Sequence, residues 1–468
     1  MADHPEPSAR DASPPASPSL GAHSVVYLVG TALQGLGVLL VLPFATRVLG
    51  AAEFGRVATG LVVVQLVGTL AAAGLPQVIL REHHRGAEGP RVARALAGAM
   101  VLLALGLAVA GALLTLALAA GGHADPGQWL PLVIASAGLT TVVSGQTLLR
   151  ARLQPWGFLA LAVLATVGAQ LAGVLAARVD PSAGTYLTAY AGVVLVAAAL
   201  AVVLGRPLRP SAERERVRAG ARLAAPLLPQ AAAMLGLLSG DVLLTRWLLG
   251  AAAAGEYQVA LQIGNIPFVL AVALFNAWGP LVLSRPLVDR WSWTARTGSA
   301  LVVVVTVGAG LVTGAALVLA HLLAGPSFDV VAVATAVSFL ALVAVAYMVY
   351  QGSSLAVLDA ERTGALARNA LLALAVLVGL AAALRGWGIL GIAVAKLVAY
   401  GVLMATTVLE GRRDLRWPGQ AWAALAGGLV VAVVTAVAGG AVTRLVVIAV
   451  MLAVGAVAAP RVLRALRR

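Results

Sequence analysis

From about residue 24 onward, apolar stretches alternate with short polar segments in which Arg is the commonest charged residue. Most of the stretches reach the length, about 20 residues, that carries an α-helix across a bilayer. Six of them run over 24–45, 57–80, 93–119, 128–148, 156–178 and 184–205. Six more run over 223–248, 256–283, 298–322, 328–350, 364–384 and 388–409, and a last pair over 420–440 and 444–460. The pattern therefore predicts an all-α polytopic membrane protein with about 14 transmembrane helices. Ahead of them, residues 1–22 are rich in Pro, Ser and Ala without an apolar core, which reads as a disordered cytoplasmic tail. The basic start and short apolar run of a signal peptide are missing from that tail.

Charge orients the spans, because Lys and Arg collect in cytoplasmic loops. With the N-terminus inside, 25 Arg fall on inner segments and 6 (Arg47, Arg56, Arg178, Arg246, Arg385, Arg444) on outer ones. That asymmetry predicts a multi-pass protein of the cytoplasmic membrane with both termini cytoplasmic. The longest polar segment, 206–222, has six spans before it and six, then a last pair, after it. We accordingly expect a six-helix bundle at 23–205, a basic connector at 206–222, a second bundle at 223–410, and an additional helix pair with a basic tail at 411–468.

Composition agrees and removes alternatives. Hydrophobic residues make up 61% and charged residues 11% of the chain, with a mean hydropathy of +0.97; a soluble domain is about 45–50% apolar. A net charge of +14 would point to nucleic acid in a soluble chain, but here the cations sit in loops between spans, where they meet lipid headgroups. Without Cys there is no disulfide, thiolate nucleophile or Cys-ligated metal. No Gly-x-x-x-x-Gly-Lys-Ser/Thr loop occurs, and the six His are dispersed apart from His83-His84. We therefore expect no cofactor, no metal and no nucleotide hydrolysis, and outer loops of about five to ten residues leave little room for an extracytoplasmic active site.

One stretch occurs twice. Leu42-Pro-Phe-Ala-Thr-Arg-Val-Leu-Gly-Ala-Ala-Glu-Phe-Gly-Arg-Val-Ala58 is echoed by Thr245-Arg-Trp-Leu-Leu-Gly-Ala-Ala-Ala-Ala-Gly-Glu-Tyr-Gln-Val-Ala260. Each copy ends a span in Thr-Arg, then has Leu-Gly and a second Gly five residues on (Gly50 and Gly55, Gly250 and Gly255). A minor echo links Leu149-Arg-Ala-Arg152 with Leu358-Asp-Ala-Glu-Arg362, again six spans apart. An even number of spans preserves orientation, so the halves are parallel repeats with the transport path expected between them. This stretch, with the following helix ending near Gly74-Leu-Pro76 and with Asp241 inside the second copy's helix, resembles the polysaccharide-export branch of the multidrug/oligosaccharidyl-lipid/polysaccharide (MOP) exporter superfamily. The resemblance implies two six-helix bundles like those of multidrug exporters of that superfamily, to which the apolar pattern adds the C-terminal helix pair. It also implies the work of an O-antigen-type flippase in polysaccharide or lipopolysaccharide biosynthesis.

Polar side chains inside spans are costly unless they face protein or water, so they are the candidate functional residues. Asp241 and Lys396 are the ionisable ones, with pairing across the second bundle as one arrangement and a role in ion coupling as their candidate function. Gln34, Gln230, Gln262, Asn265 and Asn276 are substrate-path candidates; each could equally be an interhelical hydrogen bond. Tyr400 lies one turn after Lys396, and Pro267 is expected to kink the eighth span. Arg47 and Arg246 recur at matched points where outer Arg is scarce. They suit either a diphosphate in the substrate path or an anchor that snorkels to headgroups.

These expectations combine into a flippase that moves a polyprenyl-diphosphate oligosaccharide or polysaccharide precursor to the outer leaflet by alternating access. Ion gradients or the membrane potential would drive it, as the resemblance implies. Its partners would be the lipid-linked oligosaccharide, membrane lipids and glycan polymerases or glycosyltransferases, with no nucleic acid. The alternatives are a drug/cation antiporter of the same superfamily, which the absence of a carboxylate well inside a first-bundle span disfavours, and a membrane-embedded glycan polymerase or ligase.

Overall fold

The computed structural model describes the backbone of residues 20–72, 74–122, 125–224 and 228–467. It describes side chains over the same ranges except 20–36, 223–224, 463 and 465–467. The tail expected at 1–22 lies outside these residues up to position 19, and its last three side chains with it. Among the described residues every regular element is a helix: α1 (Leu20–Ala72), α2 (Leu75–His83), α3 (Gly89–Ala120), α4 (Pro126–Ala151), α5 (Pro155–Val163), α6 (Ala169–Ala177) and α7 (Ala183–Gly205) form the first half. After the connector helix α8 (Arg214–Ala224) come α9 (Leu228–Leu249), α10 (Ala251–Gly264), α11 (Ile266–Ser284), α12 (Leu287–Leu323), α13 (Val330–Leu340), α14 (Val343–Asp359), α15 (Thr363–Ala383) and α16 (Ile389–Gly411). The last pair is α17 (Gly419–Ala438) and α18 (Ala441–Arg467). Helix is what these residues must form in hydrocarbon, since only it satisfies each backbone group within its own segment.

Among the described residues, thirteen helical stretches are long and apolar enough to span a membrane. The first, Gly37–Ala72, contains a corner at Gly50 (φ 70°, ψ 175°), so the two spans expected first are one chain of helix bent at a glycine. Counted across that corner, the stretches agree with the fourteen apolar segments. Sequence boundaries shift where helices outrun their apolar segments, the ninth starting at Leu287 rather than 298 and the tenth ending at Asp359 rather than 350, and the second span stops at Ala72. Gly74 there turns left-handed (φ 70°) and Pro76 begins the short α2, so residues 75–80 belong to a separate helix. The eighth span is broken, as Pro267 implies, at Asn265 between α10 and α11. The fifth contains a π-helical turn, Leu164–Gly168, between α5 and α6.

Local sequence explains the helix starts. Asp125, Ser182 and Asp329 cap α4, α7 and α13 by accepting from Gly127 N, Thr185 N and the pair Val331 N and Ala332 N. Helices entering from the opposite end begin on Pro90 and Pro155, whose missing N–H costs nothing in a first turn.

The helices pack as two bundles related by the internal repeat. Gly250 (φ 94°, ψ −177°) repeats the corner of Gly50 in a conformation only glycine adopts cheaply. The second glycine of each copy does different work. A Cβ at Gly55 would stand 1.8 Å from the Ala251 carbonyl oxygen, and one at Gly255 2.2 Å from that of Ala51. Each glycine thus admits the other copy's backbone, a self-complementary contact that joins the bundles. Hydrogen bonds between the bundles, among the described residues, sit at this same end. Thr46 Oγ1 donates to Leu323 O (2.7 Å), Arg47 Nη2 to Leu322 O (2.8 Å) and Ala51 N to Ser327 Oγ (3.1 Å). Phe54 meets Phe328 edge-on at 6.1 Å. The two bundles are joined at this end.

Candidate substrate path and ion-pair site

Asp241 enters from α9, Tyr257 from α10 and Lys396 from α16. Lys396 Nζ donates to Asp241 Oδ2 (2.8 Å) and to Leu238 O (2.8 Å), and the Tyr257 hydroxyl donates to the same carboxylate oxygen (2.5 Å). Asp241 is 0% and Lys396 1% exposed, so the pair is fully desolvated. Such a pair holds only when its attraction and additional hydrogen bonds offset the cost of removing two charges from water. Here the ammonium has two oxygens and one carboxylate oxygen has two donors. The other, Asp241 Oδ1, is buried without a partner among the described residues. Around the site Tyr400, Phe268 and Tyr347 form an aromatic wall, with Tyr400 at 6.3 Å from each of the others.

The pairing of Asp241 with Lys396 was one of the arrangements the sequence allowed. Tyr257 was missed, although it lies directly after Gly255-Glu256 of the repeat. Its third partner role could have been suspected from a phenol otherwise stranded in an apolar helix.

The amides form a second constellation. Gln262 on α10 and Asn265 at the break just after it are half-buried and make no side-chain hydrogen bond to a described residue, and the same holds for Gln258 one turn before Gln262. On the helical wheel these three fall between Gly255, which packs on α1, and Tyr257, which bonds to α9. The face they make therefore borders the junction of the two bundles. Gln258 was missed, and so was Gln65, exposed on α1. Gln65 stands ten residues after Gly55 as Asn265 stands ten after Gly255, so the repeat register could have found it. Gln230 is half-buried on α9 and Asn276 exposed on α11, beyond the break at Asn265 and apart from the α10 amides. The Gln34 side chain lies outside the described residues.

Arg47 and Arg246 have matching places and different surroundings. Arg47 donates Nη1 to Pro43 O (2.9 Å) and Nη2 to Leu322 O (2.8 Å), so it holds the carbonyl end of α12, where a cation is favoured. Arg246, half-buried, makes no hydrogen bond or ion pair to a described residue.

Two parallel bundles joined at one end, an amide face that borders their junction and an ion pair buried in the second bundle are the features of this polytopic membrane protein. Residues 20–284 match the polysaccharide biosynthesis protein family, and the chain belongs to that family. Its fold is also that of solved MOP superfamily proteins. A structure of the lipid II flippase MurJ, in an inward closed conformation, has 12% identity and a TM-score of 0.70, covering 95% of this chain and 100% of that one. An inward-facing multidrug resistance MATE family transporter of the MOP superfamily has 15% identity and a TM-score of 0.54, covering 87% and 99%. A Vibrio cholerae MATE transporter has 16% identity and a TM-score of 0.53, covering 86% and 97%. No relative among curated proteins matches this sequence.

Proposed function

We propose that this protein is a flippase that carries a lipid-linked oligosaccharide or polysaccharide precursor across the cytoplasmic membrane by alternating access between its two bundles. The observation that carries this reading is the amide face of Gln258, Gln262 and Asn265, with Gln65 at the repeat-related position, bordering the bundle junction with its hydrogen-bonding capacity unused. Amides both donate and accept, which suits a cargo dense in hydroxyl groups. Placed against lipid, the same groups would be costly. Membership of the polysaccharide biosynthesis family supports the cargo class, and the MurJ likeness supports the mode of movement. A cationic drug would favour acidic side chains along the path, and the described spans of the first bundle offer none in their interior.

In proteoliposomes, the protein should move a fluorescent polyprenyl-diphosphate oligosaccharide between leaflets, and Gln262→Leu with Asn265→Leu should slow movement about tenfold at unchanged reconstitution. Proton- or sodium-coupled uptake of a cationic dye, with no lipid movement, would establish the antiporter instead. Both termini are assigned to the cytoplasm on the Arg asymmetry. A Cys in place of Glu215 on α8 should then react only after permeabilisation, and labelling from outside intact cells would reverse that assignment.

A further inference from the structure

At the end of the first bundle where α8 lies, two guanidinium groups converge on the carbonyls at the end of α7, beside a third, that of Arg206. Arg94 Nε donates to Arg206 O (2.6 Å), and Arg152 donates Nη1 to Leu204 O (3.2 Å) and Nη2 to Gly205 O (2.6 Å). The Arg206 side chain makes no hydrogen bond to a described residue and is exposed. His83, at the end of α2, interacts with Arg152 and has a buried Nδ1 without a partner among the described residues.

The contrast with neighbouring arginines is decisive. Arg91 pairs with Glu213 at 3.1 Å and Arg216 with Glu88 at 2.8 Å, whereas Arg94, Arg152 and Arg206 make no ion pair among the described residues. Carbonyl dipoles satisfy some of their N–H groups but neutralise no charge. Three cations held side by side repel one another: burial, then Arg94 and Arg206, push the Arg152 guanidinium below its ordinary value. Burial, then His84 and Arg152, push His83 down as well, which leaves it a neutral ring able to donate or accept. Arg206 also takes a left-handed backbone (φ 50°, ψ 56°) at the cap of α7, where glycine would fit without strain. Both Nη groups of Arg94, Nε of Arg152 and the whole Arg206 guanidinium remain as donors around one unneutralised positive centre.

We propose that His83, Arg94, Arg152 and Arg206 bind the phosphate of an anionic membrane lipid headgroup. Forked guanidinium donors match phosphate oxygens, and the site lies at the polar end of spanning helices, at headgroup depth. It is separate from the amide face and the ion pair, and does not depend on the transport reading.

The test is thermal unfolding of the delipidated full chain in neutral detergent with added phosphatidylglycerol, phosphatidylcholine or inorganic pyrophosphate. Phosphatidylglycerol should raise Tm by several degrees in the wild type, phosphatidylcholine should not, and pyrophosphate should compete only weakly. Arg206→Gly suits the left-handed backbone and keeps the carbonyl that Arg94 uses, so it removes the guanidinium without disturbing the cap. It should lose roughly half or more of the phosphatidylglycerol shift, and so should Arg94→Gln. An undiminished shift in both variants would overturn the site. Full stabilisation by pyrophosphate alone would overturn the lipid assignment in favour of a soluble phosphate compound.

Discussion

The two copies of the stretch that runs from Thr-Arg to Leu-Gly keep one backbone and divide the chemistry. Gly50 and Gly250 turn the chain alike, and Gly55 and Gly255 admit each other's helices. Beyond these glycines the halves part company. In the first copy Thr46 and Arg47 reach across to the carbonyl end of α12. In the second, Thr245 bonds only within its own helix, to Asp241 O at 2.7 Å, and Arg246 is left without a partner among the described residues. The buried ion pair of α9 and α16 likewise has no counterpart in the first bundle, where the repeat position of Asp241 is Leu42. Glycines whose Cβ would collide with backbone cannot drift, whereas a side chain on one half can take up work that its repeat mate does not do.

The largest effect expected from separating the halves concerns the ion pair. Asp241→Asn alone or Lys396→Met alone leaves one buried group uncompensated, which costs about 3–5 kcal/mol. The double variant, with no charge left, should recover most of that stability, and equilibrium unfolding of the three proteins measures it. Transport then separates two roles. A double variant that is stable but inactive makes the pair a coupling element, whereas one that is stable and active makes it a structural tie. If both singles prove as stable as the wild type, the desolvated pair described above is wrong.

Next in size is the glycine contact shared by both halves. Gly55→Val and Gly255→Val each place a side chain where the facing carbonyl stands, and overpacking of this kind costs about 1–3 kcal/mol. We expect the cost to appear as a loss of closure at this end. Cys residues introduced at Ser327 and Ala51 should crosslink readily in an otherwise native chain and several-fold less in either Val background. Equal crosslinking would show that the backbones part without affecting the closed state.

Most of the fold was legible, because hydrocarbon admits only helices and apolar length marks each of them. The corner at Gly50 was not. A continuous apolar helix and two spans joined by a one-residue turn differ in the φ and ψ of one residue, and residue types on either side do not report it. The break before α2 could have been read from Gly74-Leu-Pro76. Of the site, Asp241 and Lys396 stood out because charge in a span is rare, and their partnership followed once α9 and α16 touched. Tyr257, Gln258 and Gln65 did not stand out: a phenol or amide is common enough in spans that only its neighbours give it meaning. Arg47 shows the opposite limit, since sequence marked it as special and offered two roles, an anchor in headgroups or a substrate contact. The bond it makes to Leu322 is a third.

That bond leads to the smallest effect and the finest distinction between the copies. Arg47→Ala removes one charged donor from a helix end and one link between bundles, and because its bonds are exposed and water can replace them the loss is about 0.5–1.5 kcal/mol. Lys keeps the charge but lacks the fork that reaches Pro43 O and Leu322 O together. We therefore expect Arg47→Ala to favour opening at this end, seen as roughly two- to fivefold faster thiol modification in a Gln258→Cys background, with Arg47→Lys in between. Arg246→Ala breaks no such link and should leave that rate unchanged. If Arg246 instead meets the diphosphate of the cargo, its Ala variant should slow lipid movement while thiol modification in the same background stays at its original rate. Loss of transport in step with accelerated modification in both variants would mean that the two Arg still share one job, and that the divergence between the copies stops at the ion pair.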